Sequence, residues 1–321
     1  MWQLERSVHG PTVAADKDIP ALNRLFSEAF TDRYRRDGLV GVRVPHLNPA
    51  IWRYALADAG EGAMIWHDES DRLVAFNIAH RSGTEGWMGP LVVRPDRQTG
   101  GLGKTIVMAA VEWLRSRGVT TLGLETMPRT VDNIGFYSRL GFVPGHLTLT
   151  LTVEVSAARA PSGFEALESL GAVEREARLA EIGALVTRLA PGTDYGREIQ
   201  LTRELRLGDV VVVGPPGGLS GFALCHSAPL PENGAREESR ALKIGAVSLD
   251  ALLAVLEAAA VWARTQGARR LAVRCQSAYG EAYSALVRRG YRVRWTDLRM
   301  TVTGYPDAAP ESGIVWSNWE I

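Results

Sequence analysis

The sequence predicts an α/β fold on a mixed sheet (α+β in its order of elements), built twice in tandem. Two observations predict it. Strand-like and helix-like periodicities alternate along the first 157 residues, with strand, glycine turn and helix in succession between Trp87 and Phe142. The order then recurs: a shift of 149 positions lays AAVEWLRSRGV at 109–119 on AAAVWARTQGA at 258–268, with Trp113 on Trp262, Gly118 on Gly267 and Gly141-Phe142 on Gly290-Tyr291. The expected organisation is one domain over 1–157, a linker at 158–163 where ARAPSG lacks periodicity, and a second domain over 164–321.

Each element has its own signal. Asp18 is placed to cap a helix whose inward face is Ile19, Leu22, Phe26 and Phe30, and Asn48-Pro49 supplies a cap and a first-turn proline for a second helix through Ile51 and Tyr54. The link between them, DRYRRDGLVGVRVPHL, is polar. AMIWHD and LVAFNIAHR alternate as strands around ESDR, and MGPLVVRP follows. The turn DRQTGGLGK then opens a helix with Leu102, Ile106, Ala109, Ala110 and Trp113 on one face, stopped by Gly118. TLGLETM reads as a strand, VDNIGFYSRLG as a short helix, and TLTLTVEV as the strand that completes the first sheet.

Composition limits the function classes. The 321 residues carry 36 basic and 36 acidic side chains, and zero net charge argues against a nucleic-acid partner or a polybasic membrane module. MWQLERSVHG has no apolar core of a signal peptide and no stretch is long enough to span a bilayer, so a cytoplasmic monomer or homodimer is expected. Cys225 and Cys275 lie in apolar runs and read as buried thiols, with no metal expected.

The turn after MGPLVVRP is the centre of the chemistry. Gly101 and Gly103 allow a tight turn and close backbone approach, so the first free N–H groups of the following helix converge where its dipole favours negative charge. A nucleotide-hydrolase loop would need glycine where Gln98 stands, and a dinucleotide fingerprint would need it at Ile106. The pattern Gln98-x-x-Gly101-x-Gly103 resembles the pyrophosphate loop of the GNAT superfamily of N-acetyltransferases. Leu124-Glu125-Thr126, Asn133-Ile134, Phe136-Tyr137 and Leu140-Gly141-Phe142 match that family's next strand and helix in order and spacing. Thr130 departs from it, standing where the family usually has the Asn that meets the pantetheine arm. Thr130 still serves as a helix N-cap, and Asn133 shares a face with it and with Tyr137.

The resemblance implies two tandem GNAT-like domains, the first using acetyl-CoA as co-substrate. Gln98, Thr99, Gly100, Gly101, Leu102, Gly103 and Lys104 would cradle the pyrophosphate, and Leu91, Val92 and Val93 would pair with the pantetheine, which Thr130, Asn133 and Tyr137 would also border. Tyr137 would protonate the leaving thiolate. The amine arrives with a pKa of about 10.4 and must lose a proton. For that step Glu125, on the right strand, stands beside Glu85, His80 and a water chain as alternatives. His67, near the turn ESDR, reads as a solvated surface residue, and Trp52, Trp66 and Trp87 read as core.

The second copy lacks these features. The shift puts Val247 at Gln98, Asp250 at Gly101, Leu252 at Gly103 and Leu286 at Tyr137, with Tyr283 a turn too early to substitute. Asp250 would oppose a pyrophosphate. The reading is an N-acetyltransferase acting on a primary amine of a small molecule or amino-acid derivative. A non-catalytic acetyl-CoA sensor and a two-domain scaffold are the alternatives.

Overall fold

A computed structural model describes residues 7–98, 100–307 and 309–320. The first half runs β1 (Val8–Val13), α1 (Ile19–Arg36), α2 (Pro49–Ala59), β2 (Ala63–Asp68), β3 (Leu73–Ser82), β4 (Glu85–Val93), α3 (Leu102–Ser116), β5 (Thr121–Thr126), α4 (Val131–Arg139) and β6 (Phe142–Glu154). The second half repeats it as β7 (Phe164–Ala166), α5 (Ala172–Leu189), α6 (Gly196–Glu204), β8 (Gly208–Val213), β9 (Gly221–His226), β10 (Glu238–Ala246), α7 (Leu249–Thr265), β11 (Arg270–Gln276), α8 (Gly280–Arg288) and β12 (Arg292–Val302), then adds β13 (Ile314–Ser317). β5 and β11 begin at Thr121 and Arg270, so the shift of 149 read from the sequence holds at this strand.

Local chemistry explains most boundaries. Asn48 Oδ1 accepts from Ala50 N at 3.0 Å, capping α2 as its sequence predicts. Asp18 does not cap α1: its carboxylate turns back to Ala15 N at 2.9 Å, because the chain enters α1 through a short 3₁₀ turn. β1 carries no alternating pattern and contains Pro11, which an exposed edge strand tolerates.

The 13 strands of the described residues form one sheet, in the order β1-β2-β3-β4-β5-β12-β6-β11-β10-β9-β8-β7, with β13 on β10. This corrects the expectation that TLTLTVEV completes the first sheet. β5 instead pairs with β12 of the second half, Glu125 opposite Arg299 and Thr126 opposite Leu298. β6 pairs with β12 and, from Thr148 to Glu154, with β11. Each half thus supplies the strand that completes the other's sheet. Period-two alternation fixes which face a side chain takes but not which strand lies alongside, so the exchange leaves no mark in the pattern.

Helices cover both faces. In the first copy Leu22, Trp52, Phe76, Ile78 and Val92 fill the layer under α1 and α2, and Val107, Ala110, Leu114, Leu122 and Phe142 the layer under α3 and α4. Leu252, Val255, Leu271 and Val273 do the same under α7, and Ile182, Val186, Ile199 and Phe222 under α5 and α6. Each such buried Leu, Ile, Val or Phe side chain contributes about 1.5–3 kcal/mol. Between the copies α2 meets α6, with Ile51, Tyr54, Leu207 and Ala228 in contact. Cys225 and Cys275 are buried free thiols. Among the described residues no helix is long and apolar enough to cross a membrane.

Candidate active site

The turn between β4 and α3 is built as its glycines require. Gly101 is the N-cap of α3 with φ +84°, the left-handed region, and among the described residues no side chain caps the helix. The first-turn N–H groups of Leu102, Gly103 and Lys104 therefore have no intrahelical acceptor and, among the described residues, no side-chain cap. Gly103 lies against α4: a Cβ there would stand 3.4 Å from Phe136 Cζ. Gln98 ties the turn to the end of β4 through Nε2 and the Val93 carbonyl at 3.1 Å, and its Oε1 accepts from Arg36 Nη1 at 3.1 Å. Gly100 is exposed. Thr99 lies outside the described residues.

Beside this turn the sheet divides. β4 and β5 pair in parallel only from Glu85–Thr121 to Met88–Leu124. Pro90 has no N–H, and the register with β3 shifts between Met88 and Leu91, so the far half of β4 leaves β5. Among the described residues, Leu91, Val92 and Val93 pair with β3 on one edge and with no strand on the other. The result is a gap bordered by open backbone, leading to uncapped helix N–H groups at its mouth.

α4 lines the gap's other side. Tyr137 is 7% exposed and packs on Phe136 and Phe142, with ring centroids 5.2 and 5.9 Å away. Burial pushes its hydroxyl up to about 12, so the phenol keeps its proton at neutral pH. Phe136, which its sequence suggests as the packing aromatic, is the less buried of the two. Thr130 occupies the N-cap position of α4 but does not cap: Oγ1 donates to Asp37 Oδ2 at 2.6 Å, tying α4 to the end of α1. Asn133 is partly buried a turn before Tyr137.

The carboxylates are distributed differently from the expectation. Glu125 accepts from Thr148 Oγ1 at 2.5 Å and Arg299 Nε at 2.9 Å, and pairs with Arg274. Burial pushes its pKa up, but the two guanidiniums and the hydroxyl outweigh this and hold it below the usual range. It is an anchor for two arginines rather than a free base. His80 is buried, with Nδ1 2.7 Å from Asp58 Oδ2 and Nε2 unpartnered. Glu85 faces away from the gap into a cavity of about 460 Å³ lined also by Tyr195, Gln276 and Arg299. That cavity lies at the opposite end of β4 from the glycine turn. His67 stacks on His9, and Trp52, Trp66 and Trp87 are core, as their sequence context suggests. The residues its sequence could not reveal are Arg274, Trp295, Asp297 and Arg299, brought in by β11 and β12.

The equivalent place in the second copy is closed. α7 is capped by Ser248, whose Oγ accepts from Ala251 N at 3.2 Å. Where β10 parts from β11, β13 fills the gap, pairing Ser317, Trp316, Val315 and Ile314 with Lys243, Ile244, Gly245 and Ala246. Tyr279 Oη fastens it to the Val315 carbonyl at 2.9 Å. Among the described residues, a protein strand pairs here where the matching edge of the first copy has none.

Residues 20–142 match the model of the Acetyltransferase (GNAT) family. The ribosomal protein bS18-alanine N-acetyltransferase of Salmonella typhimurium is 36% identical over 72 residues, 22% of this chain and 49% of that protein. The chloroplastic GCN5-related N-acetyltransferase 1 of Arabidopsis thaliana is 34% identical over 127 residues, 39% of this chain and 56% of its own. The chain thus spans about half the length of these relatives. A putative acetyltransferase from Pyrococcus horikoshii superposes with TM-score 0.69 at 15% identity, covering 99% of this chain and 96% of that one. A tandem GNAT protein from the clavulanic acid biosynthesis pathway gives 0.61 at 14%, covering 95% and 100%. Saccharomyces cerevisiae N-myristoyltransferase with bound myristoyl-CoA gives 0.64 at 11%, covering 97% and 81%.

Proposed function

We propose, from the premise that this chain belongs to the GNAT superfamily of acetyltransferases, that its first copy transfers the acetyl group of acetyl-CoA to a primary amine of a small molecule or amino-acid derivative. The observation that carries this is the alignment of an open gap between β4 and β5 with the uncapped N-terminus of α3. A long ligand with a pyrophosphate at one end fits that arrangement. The anion meets the N–H groups of Leu102, Gly103 and Lys104, and the arm adds to the bare edge of Leu91–Val93 as a strand would. That one structural neighbour holds an acyl-CoA supports the same choice of ligand.

The thioester then lies near the point where the strands part, between Met88 and Leu124, with Tyr137 packed in the same layer. An amine attacks the carbonyl carbon directly, the C–S bond breaks, and Tyr137 donates its proton to the thiolate. Holding the thioester still while excluding water accounts for much of the rate. Acetyl-CoA titration of the purified chain, followed by thiol release over a panel of primary amines, tests the proposal. Submillimolar binding and turnover with a subset of amines is the expected result. Absence of binding refutes it.

A further inference from the structure

Building on the transferase reading, we propose that Asp297, a residue of the second copy, takes the proton from the amine acetylated in the first, and that Trp295 and Tyr34 flank that amine's approach. Strand exchange puts Asp297 there. β12 is the neighbour of β5, and Leu298 pairs with Thr126 just beyond the point where β4 has left. Arg299 lies opposite Glu125, so period two puts Trp295, Asp297 and Arg299 on the face that carries Glu125. Arg274 Nη2 pairs with Glu125 and lies 2.8 Å from Asp297 Oδ2, so two carboxylates share one guanidinium nitrogen at the edge of the gap.

Their surroundings give them different tasks. Glu125 has Arg299 and Thr148 in addition to Arg274. Asp297 has Arg274 and the Trp295 indole N–H at 3.1 Å, and its side chain is 16% exposed. The groups facing it are Arg274 on β11, Glu125 on β5, Tyr34 on α1 and Trp295 on its own strand. Burial and the charge of Glu125 push Asp297 up to about 6 against the pull of Arg274. It is ionised at neutral pH and basic enough to receive a proton. The Tyr34 and Trp295 rings, centroids 5.9 Å apart, with Trp295 37% exposed, offer aromatic faces to an ammonium.

The balance closes. The ammonium gives one proton to the Asp297 carboxylate; the freed lone pair forms the C–N bond as C–S breaks. The nitrogen's second proton replaces the one Tyr137 gives to sulfur. Asp297 returns its proton to solvent.

Calorimetric titration with acetyl-CoA separates this inference from the reading beneath it, since a wild-type chain that fails to bind refutes the transferase and leaves the titration of Asp297 to be judged separately. Intrinsic fluorescence of wild type minus Trp295→Phe, followed from about pH 4 to 8, should show a midpoint near 6 that vanishes in Asp297→Asn. A midpoint below about 5, or none, overturns the assignment. With any alkyl or arylalkyl primary amine that is turned over, Asp297→Asn should lower kcat roughly 10²-fold or more and remove the rising limb near pH 6, with acetyl-CoA affinity unchanged. Asp297→Glu should recover part of the rate. Full kcat and an unaltered pH profile in Asp297→Asn also overturn it.

Discussion

In the proposed reaction Tyr137 and Gly101 would act through opposite properties, one a proton and the other the lack of a side chain. Tyr137→Phe keeps the ring among Phe136 and Phe142 and removes only the hydroxyl, so turnover should fall roughly 10²- to 10⁴-fold with acetyl-CoA affinity nearly constant. A raised Michaelis constant with unchanged turnover would make it a binding residue. At Gly101, among the described residues, no atom beyond its chain neighbours and its own helix backbone lies within 4 Å of the point a Cβ would occupy; Gly101→Asp strains a φ of +84° and would set a carboxylate where the phosphate is proposed to lie. Binding measured by calorimetry should vanish while the circular dichroism spectrum persists. Both positions can be picked out from the sequence because the patterns that mark them are local. The partners of Glu125 cannot be, since Arg274 and Arg299 stand 149 and 174 positions away. No spacing rule reaches that far.

α3 and α7 are the same element with opposite endings. Among the described residues the first has no side-chain cap on its N–H groups; the second satisfies one with Ser248 and lies beside a gap filled by β13. Titration of the intact chain with acetyl-CoA should therefore give a stoichiometry near one, and a second equivalent would show that β13 yields. β13 is held at its far end by Glu320, which pairs with Arg240 at 2.5 Å and His226 at 3.2 Å. Burial pushes Glu320 up, but Arg240 and His226 overcome this and bring it down to about 2. A carboxyl whose folded pKa is depressed stabilises above its unfolded value of 4.5 and loses that contribution as pH falls from 4.5 toward 2. Glu320→Gln should thus lower the melting temperature at pH 7 and flatten its decline in that acid window, as calorimetric scans would show. β13 itself was illegible: IVWS is too short and too far from any partner to signal a strand, and its place is set by the gap it fills.

For the molecule as a whole, repetition was legible and assembly was not. Shared order along the chain follows from matching residues at a fixed shift, as α4 and α8 at Val131 and Gly280 show. Which copy receives β6 and β12 depends on pairings between strands that either neighbour could make. The consequence is that the copies are not separable units. Fragments 1–157 and 158–321 produced singly should each be poorly folded, because each lacks one strand of its sheet, whereas together they should recover melting temperature and acetyl-CoA binding. Two independently stable fragments would contradict the shared sheet. On the ribosome the same exchange inverts the usual order. Residues 1–157 emerge first, yet the edge of β5 stays bare until Val302 has been made, since β12 is its neighbour on that side. Translation that halts before Val302 leaves the first copy with an open strand edge, a target for chaperones and proteases.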